Sequence, residues 1–366
     1  MSALVIFTLL LILMLTGMPI SIALGLTVLT FLFTMTSVPI EAVALKLFTG
    51  IEKFEIMAIP FFILAGNFLT HGGVARRMIQ FASSMVGHWY GGLSLAGVLA
   101  CALFAAVSGS SPATVVAIGS ILLPAMVKAG FPTRFGAGVI TTSGALGILI
   151  PPSIVMVMYA VATNSSVGAL FMAGVIPGLL LAGFLGFTTW YRARKHNYPR
   201  QPKADFATRM KALRESIWGL LLIVIVMGGI YTGLFTPTEA AAMSAVYAFV
   251  IAVFVYKDMS LKDVPRVLLN SASMSAMLLY IITNAVMFSF IMTNENIPQS
   301  LAEWMLSMGM GPVAFLLAVN ILLLAAGNFM EPSSITLIFA PILFPMAMKL
   351  GIDPIHFGIL MVVNME

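Results

Sequence analysis

Apolar runs of near-membrane length, interrupted by glycine, proline and hydroxyl residues, organise this chain, and the densest interruptions fall between Leu93 and Ser153. That stretch holds LSLAGVLACALFAAV, the polar break SGSSPAT (Ser108 to Thr114), and a second apolar arm, VVAIGSILLPAMV. An arm of about 15 residues rising 1.5 Å per residue reaches about 22 Å, short of the roughly 30 Å hydrocarbon core. The pattern therefore predicts a re-entrant helical hairpin over 93–127, since backbone unpaired at mid-membrane is tolerated only against protein or a watery cavity. After a polar turn comes FGAGVITTSGALGILIPPSIVMVMYAV, a predicted span over 133–162. Its centre, Thr141 to Ser153, carries hydroxyls, glycines and Pro151-Pro152, which predict a discontinuous helix. A hairpin tip facing a broken helix gathers free carbonyls, hydroxyls and helix ends, from which transporters build ion and substrate sites.

The remaining pattern divides the chain into segments. Residues 1–54 read as N-terminal scaffold: two helices over 3–16 and 19–37, separated by Gly17 and Pro19, then a mixed interfacial segment. Residues 55–191 form a first repeat, with a span to Thr70, an amphipathic stretch ending at Trp89-Tyr90, the hairpin, the broken helix and a span over 167–191. A basic loop covers 192–214, and 215–266 supplies two more scaffold helices and a basic turn. Residues 267–366 begin with a span over 268–292 and an acidic connection over 293–312. A second hairpin over 312–348 follows, and a second break opens at Asn364.

The two halves align. Pro112 matches Pro332 at an offset of 220, Gly130 matches Gly351 at 221, and Pro132, Phe135 and Gly136 match Pro354, Phe357 and Gly358 at 222. Arg76, Arg77, Lys128 and Arg134 flank the first hairpin, whereas the connection before the second has Glu295 and Glu303 and no Lys or Arg. By the positive-inside rule the hairpins enter from opposite sides, the inverted-repeat pattern of secondary transporters. Counting spans back from the basic loop puts the N-terminus outside. The same offset puts a second Pro-Pro near 373–374, so the native chain is expected to continue past Glu366.

Composition narrows the class. Hydrophobic residues make up 60% of 366 positions and charged residues 8%, far below the charge of a soluble domain, so the reading is an all-α polytopic membrane protein. The net charge of +5 does not imply nucleic-acid binding, because eight of the eighteen Lys/Arg lie between Arg192 and Arg214, in the loop that positive-inside asymmetry makes cytoplasmic. Contact of that loop with anionic lipid is a second reading. Cys101 is alone, which excludes a disulfide framework and a thiolate metal site. No basic n-region precedes the first helix, so it is taken as retained rather than cleaved. The four histidines are scattered, and neither H-E-x-x-H nor G-x-S-x-G occurs, so no enzyme, cofactor or transition metal is expected.

Together the tip SGSSPAT, the break GALGILIPPS, the second tip GNFMEPSS and the terminal VVNME resemble the large membrane (permease) subunit of tripartite ATP-independent periplasmic (TRAP) transporters, in the ion-transporter superfamily. The resemblance runs the length of the chain. It implies an elevator-type transporter of the bacterial inner membrane, driven by sodium. It also implies a small four-helix membrane subunit and a periplasmic substrate-binding protein that delivers an organic acid. C4-dicarboxylates are the expected substrate, with sialic and other sugar acids open. Carried over by motif, the first sodium site takes Ser108, Gly109, Ser110 and Ser111 with Gly144, Gly147 and Pro151. The second takes Gly327, Asn328, Glu331, Pro332 and Ser333 with Asn364. Substrate contacts are expected from Ser110, Ser111, Thr142, Ser143, Ser153 and Ser334.

The chemistry agrees: sodium takes oxygen ligands, and half-helix N-termini favour a carboxylate. Neither tip nor break carries Lys or Arg, so carboxylate recognition must use neutral donors, dipoles and bound cations. Against this stand plainer readings. Ser108 to Ser111 also suit small-residue helix packing, Glu331 suits an interface, and Glu239 suits a helix N-terminus better than proton transfer. A stand-alone sodium/carboxylate symporter of the same superfamily would need no binding protein. A channel fits the paired breaks less well than alternating access.

Overall fold

Helices form every regular element among the described residues of this computed structural model, which describes residues 2–36, 39–328 and 330–365. Phe329, inside the second tip, and Glu366, where the chain ends, lie outside them. In order the helices are α1 (Ser2–Leu15), α2 (Ile20–Met35), α3 (Ile40–Thr49), α4 (Ala58–His71), α5 (Val74–Val86), α6 (Gly92–Ser108), α7 (Ser111–Lys128), α8 (Thr133–Gly144) and α9 (Leu146–Leu149). There follow α10 (Ile154–Thr163), α11 (Val167–Lys195), α12 (Phe206–Tyr231) and α13 (Pro237–Val250), which runs into a π-turn over Ile251–Val255. The last are α14 (Val264–Asn294), α15 (Ile297–Ser307), α16 (Pro312–Gly327), α17 (Pro332–Lys349) and α18 (Pro354–Asn364). Among the described residues seven helical stretches are long and apolar enough to cross a membrane, or eight if α8 to α10 count as one interrupted span.

Helix ends follow local chemistry. Asp205 caps α12 by accepting from the Thr208 N–H at 3.1 Å, and Asp353 caps α18 by accepting from Ile355 and His356. Thr236 and Glu239 form a reciprocal capping box at the start of α13, so Glu239 is occupied as an N-terminal helix charge.

The chain divides into two compact units. One holds the described residues of Met1–Ile56, Val155–Leu170 and Ser273–Glu366. Inside it, Gly25 lets α2 lie against the buried Asn284 of α14. The Lys53 ammonium closes the C-terminal end of α10, donating to the Val161 carbonyl at 2.6 Å and to Asn164 Oδ1 at 2.7 Å. Tyr159, fully buried, donates its hydroxyl to the Pro354 carbonyl at 2.8 Å, over Gly358. The other unit holds Met57–Ile154 and Phe171–Ala272. There α4 and α13 pack closely, Phe68 meets Phe249 at 5.4 Å, and Asn67 donates to Ser271 Oγ at 2.8 Å.

The internal repeat is visible in the elements. Helices α6 and α7 have 17 and 18 residues, and α16 and α17 have 16 and 18. Pro124 inside α7 corresponds to Pro345 inside α17 at an offset of 221.

Three expectations are revised. The second arm of the first hairpin has 18 residues rather than about 15, reaching about 27 Å. The segment 192–214 is helical at both ends, because α11 continues to Lys195 and the Asp205 cap starts α12, leaving only 196–205 as the connection. The connection over 293–312 contains α15, which spans Ile297–Ser307.

Candidate ion and substrate site

The first tip is built by one glycine and one proline. Helix α6 ends when Gly109 takes φ 63, a left-handed conformation that costs an L side chain energy, and its N–H closes on the Ala105 carbonyl. Ser110 is extended at φ −143, and α7 restarts at Ser111 with Pro112 in its first turn, where the missing N–H costs nothing. The N-terminal end of α7, with its positive dipole end, is thus set at the tip.

Facing this tip within the same unit is the break. Pro151 and Pro152, joined by a cis bond, have no N–H, so the carbonyls of Gly147 and Ile148 have no helical donor. The break docks directly on the tip. Ile154 N–H donates to the Gly109 carbonyl at 3.2 Å. A Cβ at Gly147 would lie 2.7 Å from the Ser110 carbonyl carbon and oxygen and from the Ser111 nitrogen, and one at Gly109 would lie 2.8 Å from the Pro152 carbonyl oxygen. Gly144 passes Val115 and lies near the Ser111 carbonyl. Ser108, Gly109, Ser110, Ser111, Gly144 and Gly147 are therefore brought together, with Pro151 and the buried Ser153 in the same break.

The hydroxyls are not equivalent. The buried Ser108 hydroxyl pairs with Thr114 Oγ1 at 2.9 Å, and Thr114 donates to the Ser110 carbonyl at 2.9 Å. Ser143 Oγ is buried with no hydrogen-bond partner among the described residues, an unusual and costly condition unless a ligand meets it. Thr142 is exposed, and its hydroxyl turns back to the Gly138 carbonyl at 2.8 Å. The structure does not bring Thr142 to the tip.

In the other unit, α16 ends at Gly327 with Asn328 as its C-cap, and α17 starts at Pro332 after Glu331. The Glu331 carboxylate accepts from the hydroxyls of Ser333 at 2.5 Å and Ser334 at 3.4 Å, tying three of the expected residues together. Asn328 bonds back to the Leu324 carbonyl. Asn364 reaches neither; its amide donates to Asn320 Oδ1 at 2.7 Å and to the Asn320 carbonyl at 3.1 Å. The next residue, Met365, lies against the tip, with its Sδ 3.6 Å from Thr336 Oγ1.

Sequence reading passed over Thr114 and Asn320. Thr114 was legible as a hydroxyl in the first turn of the restarted helix, and Asn320 as the single amide within PVAFLLAVNILLLAAG. Among the described residues, no three or more His, Cys, Asp or Glu side chains cluster as a metal site would need.

Seven or eight candidate spans and a helical hairpin whose polar tip docks into a proline-broken helix define a multi-pass membrane protein of the secondary-transporter kind. The family model described as "Tripartite ATP-independent periplasmic transporter, DctM component" matches residues 7–366, and the chain belongs to this family of bacterial inner-membrane permeases. It is 76% identical to the C4-dicarboxylate TRAP transporter large permease protein DctM of Rhodobacter capsulatus, across all of this chain and 86% of the relative. It is 57% identical to the protein of the same name from Pseudomonas aeruginosa, across 89% of this chain and 77% of the relative. Among solved structures, the YdaH transporter of Alcanivorax borkumensis shares the fold, with a TM-score of 0.61 and 16% identity over 92% of this chain and 77% of that one.

Proposed function

We propose that the chain is the membrane permease of a sodium-coupled carrier for C4-dicarboxylates, which receives its substrate from a periplasmic binding protein and works beside a small four-helix membrane subunit. The observation that carries the substrate class is the 76% identity, over the whole chain, to a permease named for C4-dicarboxylates. Sodium coupling is supported by the oxygen donors of the first tip and of its break. Carbonyls freed by two prolines, the Ser110 carbonyl and the orphaned Ser143 hydroxyl are all hard oxygen ligands, with no competing cation in the tip or break.

Energetics favour the coupling. Moving a dianion into a cell that is negative inside is opposed by about 4.6 kcal/mol per 100 mV, and each co-transported sodium removes about half of that. In the elevator reading, the docked tip and break travel with the ligand they enclose. The Gly147 and Gly109 contacts suit this, because the two parts touch through backbone and can move as one piece.

The test is uptake of labelled succinate into proteoliposomes holding the permease and its small subunit. The binding protein and an inward sodium gradient are each supplied or withheld. The reading requires uptake only when both are present. Sodium-driven uptake without the binding protein would replace it with a stand-alone symporter, and uptake indifferent to sodium would remove the coupling.

A further inference from the structure

We propose that a cationic groove formed by the start of α5, the N-terminal half of α12 and the end of the π-turn after α13 binds the phosphodiester headgroup of an anionic phospholipid. The groove encloses about 620 Å³ and is lined by Arg76, Arg77, Lys211 and Arg214, with Trp218 and Tyr256. All of it lies within one unit of the chain. The inference rests on membrane location alone and is independent of what the protein carries.

Charge is unbalanced there. Asp258 pairs with Arg76 at 3.1 Å and with Arg77, whose guanidinium also stacks 3.7 Å from the centre of the Tyr256 ring. Among the described residues no carboxylate lies within 4 Å of Lys211 or Arg214. Glu215 also lines the groove, so four cations face two acids and the site keeps a net charge of +2. Four cationic side chains converging with only two carboxylates keep a net repulsion, and an anion relieves it.

The groove is built rather than incidental. Tyr256 donates its hydroxyl to the Glu215 carbonyl at 2.6 Å, and Tyr247 donates to the Trp218 carbonyl at 2.9 Å, fixing α12 to the end of α13. Lys211, Arg214, Glu215 and Trp218 are spaced so that they share one face of α12.

Its position selects a lipid over a soluble anion. The cations stand just before the apolar stretch of α12, and Tyr256 directly follows the candidate span Pro237–Val255, so the groove sits at the membrane boundary, with Trp218 and Tyr256 as interfacial aromatics. On the adjoining face of α12, Ile217, Leu221 and Val224 form an exposed apolar strip one helical turn apart, suited to acyl chains. By the positive-inside rule this boundary is cytoplasmic, where basic pockets between spans hold acidic headgroups.

The experiment titrates delipidated full chain with micelles containing phosphatidylglycerol, phosphatidylcholine, or soluble glycerol phosphate, and reads retained lipid by native mass spectrometry and the midpoint of thermal unfolding. Phosphatidylglycerol is expected to be retained and to raise the midpoint, and the other two are not. Replacing both Lys211→Gln and Arg214→Gln should weaken retention about thirtyfold, from about 1 kcal/mol per cation near the surface. The charge-keeping pair Lys211→Arg and Arg214→Lys should retain the lipid. Equal retention by the glutamine variant, or an equal effect of phosphatidylcholine or of glycerol phosphate, would overturn the assignment. Wild-type chain gives an independent reading: a photoactivatable phosphatidylglycerol must label α5 or residues 211–218, and labelling confined elsewhere would also overturn it.

Discussion

A methyl group at Gly147 would press directly on the backbone of the first tip. Its Cβ would stand 2.7 Å from the Ser110 carbonyl carbon and oxygen and from the Ser111 nitrogen, whereas ordinary contact begins near 3.4 Å. Tip and break must therefore separate by about 0.7 Å, and because all three atoms are backbone, no side chain can rotate away. Overpacking of this kind costs about 1–3 kcal/mol, partly offset by up to about 1 kcal/mol of helix propensity gained when glycine becomes alanine. Folding should survive with a modest loss. A binding site is less tolerant, since positioning errors beyond about 0.5 Å already degrade it. We therefore expect Gly147→Ala to reach the membrane and keep a thermal midpoint within a few degrees of wild type, while sodium-dependent succinate uptake falls at least about tenfold. Gly138→Ala is the control. It lies in the neighbouring α8, no atom stands within 4 Å of its added Cβ, and it should be neutral to mildly stabilising with uptake unchanged. Wild-type uptake and sodium dependence in Gly147→Ala would refute the idea that this contact forms the site.

Other outcomes follow from single groups. Ser143→Ala removes a buried hydroxyl without a partner, so the ligand-free protein should gain about 1 kcal/mol in thermal unfolding while losing the stabilisation that sodium or substrate gives; a loss of ligand-free stability would mean the hydroxyl is satisfied. Asn320→Leu and Asn364→Leu should be coupled by about 0.5–1.5 kcal/mol in a double-mutant cycle of unfolding, because the two amides bond at 2.7 Å, and strict additivity would deny the pairing. Asp205 is held below its ordinary value of 3.8 by hydrogen bonds from Thr208, first through the side chain and then through the backbone N–H. A lowered carboxyl pKa stabilises the folded state above the unfolded value and loses that contribution as pH falls through the folded one. Amide-exchange protection in the first turn of α12 should therefore be flat above about pH 4 and decline below it, and Asp205→Ala should abolish the decline; matching profiles would refute the cap.

What the sequence discloses depends on whether the physics is local. Both hairpins could be placed to within a few residues because Gly109 and Pro112, and Pro332 in the second, act on their own backbone whatever surrounds them. Helix α15 escaped notice for the opposite reason. Its short length and the Pro298 and Ser300 at its start read as a connection, and its helix packs on α17, a contact no local pattern records. The basic stretch misled similarly: charge marks the end of an apolar span but not the end of a helix, and α11 and α12 carry their cations past that boundary.

The site shows the same division. Residue types and the offset between halves identified which serines and glycines belong to each tip, but not how their atoms are already engaged. Ser108 has its hydroxyl committed to Thr114, whereas Ser143 has none committed, so two serines that look alike in sequence differ in what a ligand would gain from them. A ligand reaching Ser108 must compete with an existing bond worth about 0.5–1.5 kcal/mol, while one reaching Ser143 relieves a standing desolvation cost of about 1–3 kcal/mol. The repeat adds a further asymmetry. At the offset of 220, Ser111 of the first tip corresponds to Glu331 of the second, where a carboxylate is held by Ser333 and Ser334. Matched positions thus carry a hydroxyl in one half and a carboxyl in the other. A cation at the second would meet the oxygens of the Glu331 carboxyl, while one at the first would depend on carbonyls and on the fit that Gly147 permits.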